Sequence, residues 1–246
     1  MSLPRAVKET IAGKIAGEII LSNEPSVTLR KWRGLFQASQ VKLAEKMKIS
    51  PSVISDYESG RRASPGTRFV RRFVEALIEI DEENGGRLLR ELSHISGVPM
   101  SAIIDLREFS VPVLGNEIAK AVRGEIVACP ELLSREIYGI TVLDSINAIL
   151  GMSGSDFTQI FGTTTERALV FTQVSRGRSP MVAIRVSPLK PRMVIMHGIL
   201  KVDNLGKRLA EIEQIPLVIS MMDNTEDVIG ALRRLHESVS RKRRTQ

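Results

Sequence analysis

From Val27 to about Ile80 the chain shows none of the two-residue alternation of a strand, and its punctuation at Ser39, Ser50, Gly60 and Pro65 breaks the stretch into short helices. The informative part is LRKWRGLFQASQVKLAEKMKISPSVISDYESGRRASPG, Leu29 to Gly66. It reads as helix, helix, tight turn, helix. Ser39 is placed to accept from the free amides of a helix beginning at Gln40, and Ser50 to do the same for the next, with Pro51 at its first position. Leu43, Ala44 and Met47 recur at helical spacing on one helix and Ile54 and Tyr57 on the other, so the two share an apolar face. Trp32 and Tyr57 read as core residues rather than stacking platforms.

The opposite flank of the last helix holds Pro51, Ser52, Ser55 and Asp56 near its N-terminal end, where a helix in the major groove meets base edges. Charge points the same way. From Leu29 to Phe73 there are eleven basic and three acidic residues, a surplus of eight, while the whole 246-residue chain carries only +7. The positive charge that suits a polyanion is therefore concentrated on this segment. Asp56 can accept from a cytosine amino group or repel phosphates, and no Arg, Asn or Gln fork stands on the flank, so sequence preference is expected to be modest or read partly through DNA shape.

Over about residues 26–82 the pattern resembles the phage repressor and Cro family of helix-turn-helix domains, the XRE family. The residues that carry the likeness are Leu29, Arg30, Arg33, Ser39, Gln40, Leu43, Ala44, Ile49, Ser50, Ile54, Ser55, Glu58, Gly60, Arg61 and Pro65. The resemblance implies a lambda-repressor-like all-α fold, a phosphate contact from Gln40, base contacts from Pro51, Ser52, Ser55 and Asp56, and further phosphate contacts from Ser59, Arg61 and Arg62. One departure is Lys48, where the family commonly places glycine at a left-handed turn, at a cost of about 1 kcal/mol.

Around this core the chain divides into five parts. Residues 1–25 hold an amphipathic helix over 5–21 with Val7, Ile11, Ile15 and Ile19 on one face; it either covers its own domain or, the reading favoured here, packs on a second copy as symmetric operators suggest. Residues 26–82 bind DNA, and 83–110 form a connector with a helix near Leu88 to Ile95 and a break at Gly97 to Pro99. Residues 111–240 alternate strands with helices, an α/β domain for effector sensing, oligomerisation or both. Strands are expected at 125–128, 140–143, 168–172, 181–186, 193–196 and 217–221, and helices at 117–122, 144–150, 156–160, 205–213 and 225–236. Residues 241–246 make a disordered basic tail, either gripping phosphates or simply solvated.

Within the α/β part, the turn at Arg176, Arg178 and Ser179 and the hydroxyls of Thr163 and Thr164 could together hold an anionic ligand; a hairpin turn and a helix stop is the plainer reading and carries more weight. Residues 193–235 faintly resemble small α/β regulatory modules of the DRTGG type, which names no ligand. The absence of a long apolar run or a leader pattern, with one cysteine and three scattered histidines, gives the expectation of a cytoplasmic protein with no membrane span, cofactor, metal or catalytic motif. The sum is a two-domain transcriptional regulator of double-stranded DNA, acting as a homodimer and open to a small-molecule effector. Its rivals are a bridging coactivator or antitoxin-like factor and a nucleotide-dependent enzyme tethered to DNA.

Overall fold

The computed structural model describes residues 5–95, 102–153 and 156–242, and divides the chain into two compact units, 1–97 and 98–246. The break expected at Gly97 to Pro99 and the tail residues Arg243 and Arg244 lie outside the described residues.

The first unit is all helical: α1 (Arg5–Leu21), α2 (Pro25–Leu35), α3 (Gln40–Met47), α4 (Pro51–Glu58), α5 (Thr67–Glu83) and α6 (Arg87–Ile95). The apolar stripe of α1, Val7, Ile11, Ile15 and Ile19, is buried against α5 and α2 of its own unit. Lys8 pairs with Glu82 at 2.9 Å and the indole N–H of Trp32 donates to Glu18 at 3.0 Å, fixing its register. The second-copy role favoured for that stripe is thereby corrected. Its apolar residues are consumed at home, at about 1.5–3 kcal/mol of burial each. Asp81, at the end of α5, accepts from the amides of Leu88 and Leu89 and so caps α6 across the left-handed pair Gly85 and Gly86.

The second unit is an α/β domain on a six-stranded mixed sheet in the order β1-β3-β4-β5-β6-β2. Its elements are β1 (Ile103–Leu114), α7 (Gly115–Ala121), β2 (Gly124–Ala128), β3 (Glu136–Asp144), α8 (Ser145–Gly151), β4 (Arg167–Thr172), α9 (Arg178–Val186), β5 (Met193–His197), α10 (Asn204–Glu213), β6 (Leu217–Ser220) and α11 (Thr225–Lys242). Strands β3 to β6 run parallel in chain order, and β1 and β2 close the two edges antiparallel. One sheet face, with Ile140, Val142, Val170, Ile195 and Val218, packs on Ile118 and Val122 from α7 and its following turn and on Val228 and Leu232 of α11. The alternate residues Leu169, Phe171, Val194 and Met196 point to the other face, which the crossover helices cover.

Four expectations are corrected here. The connector 83–110 gives way to β1 from Ile103, an edge strand whose register shifts between Glu108 and Val113, where Pro112 is tolerated. The apolar run at 181–186 is helix α9: Met181 and Ile184 are buried three residues apart, and Pro180 falls in the first turn, where proline is permitted. Hence no hairpin forms at Arg176 to Pro180. The helix foreseen at 156–160 is a 3-10 turn over Asp156–Phe161, and α11 continues past His236 to Lys242, into the tail expected to be disordered.

Candidate nucleic-acid interface

Two short helices meet here across a tight turn. Ser39 caps α3, its hydroxyl accepting from the Lys42 amide at 3.1 Å. The helix ends on Lys48 at φ 52, ψ 50, the left-handed conformation that lets the amide of Ile49 reach back to the carbonyl of Ala44 at 3.0 Å. An L-residue is strained there, so Lys48→Gly is expected to stabilise the first unit by about 0.5–1 kcal/mol, read as a higher urea midpoint. Ser50 does not cap α4 as expected. Its hydroxyl pairs with that of Ser52 at 2.8 Å instead, leaving the first amides of α4 without a side-chain acceptor.

The position of α4 is set by one buried carboxylate. Glu58, 3% exposed, accepts from Arg33 at 2.6 and 2.8 Å and from the side-chain amide of Gln40 at 2.8 Å, while Arg30 donates to its backbone carbonyl at 2.6 Å. These bonds clamp the C-terminal end of α4 to α2 and to the first residue of α3. The hydrogen bonds it donates to Glu58 hold the Arg33 guanidinium above its ordinary pKa. Ile54, one turn before Glu58, is fully buried.

With that end anchored, Pro51 and Ser52 stand exposed and Ser55 and Asp56 are half-buried along the polar flank. Asp56 is not a free charge: Arg61 and Arg62 lie 3.5 and 3.8 Å from its carboxylate, and Arg61 also donates to the Ser59 hydroxyl at 3.2 Å. Arg62 stacks over the half-buried ring of Tyr57, 5.6 Å from its centroid, and that ring sits 4.0 Å from Phe69. The loop after α4 is thus folded back on it, with two exposed guanidinium groups held at its end. By contrast Lys42 and Lys46 turn away to Glu83 and Glu79 of α5, so the exposed cations nearest α4 in the chain are Lys48, Arg61, Arg62 and Arg68. Gln40, expected at a phosphate, has its amide engaged with Glu58.

What the sequence reading passed over is Glu58 as the organiser of this surface. The signal was present, because Glu58 lies four residues after Ile54 and so on the buried side of α4.

The residues proposed for an anion do not come together. Thr163 and Thr164 precede β4, beside Glu108 and Glu166, with the Thr163 amide 3.4 Å from the Glu108 carboxylate, and the nearby cations Arg167 and Arg192 are already paired with those two acids. Arg176, Arg178 and Ser179 follow β4, at the other end of a strand that spans about 20 Å.

A family model described as a helix-turn-helix domain matches residues 26–82. Two relatives are similar over nearly all of the chain. An uncharacterized HTH-type transcriptional regulator of Methanocaldococcus jannaschii is 47% identical over 233 residues, 93% of this chain and 95% of the relative. A protein of Archaeoglobus fulgidus with the same description is 47% identical over 225 residues, 91% of this chain and 94% of the relative. No solved structure matches.

Proposed function

The chain belongs to the HTH-type transcriptional regulators, and we propose that it controls transcription by laying α4 in the major groove of double-stranded DNA. The observation that carries this reading is the clamped α4, whose polar flank with Pro51 and Ser52 is open to solvent between Lys48 and the Arg61–Arg62 pair. Ser52, Ser55 and Asp56 face base edges, while Ser59, Arg61 and Arg62 meet the backbone. Because Asp56 is shared with two arginines, its role is to aim them at phosphates as much as to accept from cytosine. The protein acts as a homodimer in the cytoplasm, and the 98–246 unit serves sensing or oligomerisation rather than catalysis. No helix among the described residues is long and apolar enough to cross a membrane.

Titration of duplex binding against salt tests this. Affinity should fall log-linearly with salt, and Arg61→Ala with Arg62→Ala should lower the slope by about 0.9 for every phosphate that a protomer no longer neutralises. A salt-independent affinity, unchanged in the double variant, overturns the reading.

A further inference from the structure

The carboxyl ends of parallel strands are where open α/β sheets take their ligands, because the following helices begin there with unpaired amides. In the second unit a cleft of about 270 Å³ runs between α8 and α9, floored by Phe171 and walled by Ala148, Ile149, Ala183 and Val186. It shares Ser145, Ile149, Ser179 and Pro180 with a second hollow of about 200 Å³ at the loop after β4, so the two form one trough with an apolar body and a polar mouth.

Three features of the mouth lack a partner among the described residues. The Ser145 hydroxyl lines both hollows, is on a residue 7% exposed, and makes no hydrogen bond. Helix α9 opens from Gly177 without any side chain capping its first amides. The exposed Arg176 guanidinium has no ion-pair partner among the described residues, whereas Arg178 is tied to Asp203 at 2.7 Å. The nearby acid, Asp144, is fully engaged: it accepts from the amides of Ile146 and Asn147 and from the side chains of Asn147 and Gln173. The loop's path is fixed by Gly177, at φ 74, where a Cβ would meet the Met196 sulfur at 2.8 Å. Along the walls of the trough Ile149 and Val186, 67% and 78% exposed, leave apolar surface in water.

We propose that this trough binds a small amphipathic anion, its carboxylate or phosphate head on the Ser145 hydroxyl, the α9 amides and Arg176, and its apolar body between α8 and α9. The inference rests on the reading of the 98–246 unit as the sensing part of a regulator, and it names the class of effector. The head chemistry is shared by carboxylates and phosphates; the apolar body excludes inorganic phosphate as the natural occupant.

Calorimetric titration of the full-length chain with octanoate, octyl phosphate, octanol and inorganic phosphate decides it. Binding of octanoate or octyl phosphate at least tenfold tighter than octanol and inorganic phosphate is expected, and whichever binds identifies the head. Arg176→Ala should weaken that binding about tenfold and Ala183→Phe should abolish it, with thermal midpoints of both variants checking that the fold persists. Absence of binding by both anions overturns the proposal, as does binding equal to that of octanol and indifferent to Arg176. If Ile149→Glu splits a dimer while neither anion binds, the trough is a subunit contact and the proposal likewise falls. DNA affinity measured with and without the bound anion separates the two readings. Binding without any change in DNA affinity upholds the site and removes its sensing role, whereas intact DNA binding with no anion bound removes only the site.

Discussion

Arg167→Met is expected to destabilise the 98–246 unit by about 3–5 kcal/mol, enough to lower its urea midpoint sharply or leave it unfolded. The Arg167 side chain is fully buried. It donates to the Glu108 carboxylate at 3.0 and 3.1 Å, to the carbonyl of Arg107 at 3.3 Å and, at close range, to that of Phe161. Burial pushes its pKa down, with Glu108 opposing. The guanidinium joins β4 to the edge strand β1 and to the turn before β4, and it occupies the space over Gly139 that a Cβ would need. Methionine fills part of that volume, leaves the partly exposed Glu108 carboxylate without its cation, and takes one donor each from the carbonyls of Arg107 and Phe161, the latter keeping only the amide of Thr164. Adding Glu108→Leu should restore part of the loss, because the uncompensated carboxylate is then gone. An unfolding curve for Arg167→Met that overlays the wild-type curve refutes this account.

The second large effect is expected at Glu58→Ala, again about 3–5 kcal/mol, now in the first unit and with DNA binding lost alongside. The alanine leaves Arg33, whose side chain is 19% exposed, and the Gln40 amide facing a void, and it holds the end of α4 to α2 only through the Arg30 bond to the backbone carbonyl of residue 58. Glu58→Gln keeps an acceptor for Arg33 and should lose markedly less. Circular dichroism under denaturant gives the stability, and fluorescence anisotropy of a labelled duplex gives the affinity. A Glu58→Ala protein that binds DNA like wild type would show that α4 does not depend on the clamp.

How much of this is legible in the sequence follows from the range of the forces involved. Helices α1 to α4 are legible because their signals are local: the four-residue spacing of Val7, Ile11, Ile15 and Ile19, the cap at Ser39, proline at 51. The Lys48 turn is legible for the same reason, since its strain belongs to one residue's backbone. The failures share a dependence on tertiary pairing. Val182, Ile184 and Val186 alternate like a strand, and only the burial of Met181 with Ile184 shows a helix. Strand β1 mixes charges with Pro112, and becomes a strand because β3 offers it an edge. Where Ser50 sends its hydroxyl is a contest between a helix amide and Ser52, which a capping preference alone does not decide. In the candidate site, the polar flank of α4 is evident in the sequence, whereas the Arg33–Glu58–Gln40 clamp needs three helices to meet.

The irregular border strand β1 also limits how the protein can associate. A stretch whose pairing register slips between Glu108 and Val113, with a proline that cannot donate at 112, presents a broken ladder to an incoming strand. Sideways growth of the sheet from that margin, whether into a continuous dimer or into a fibre, is thereby blocked. Partners that join the second unit must come to the opposite margin, β2, or to its helices.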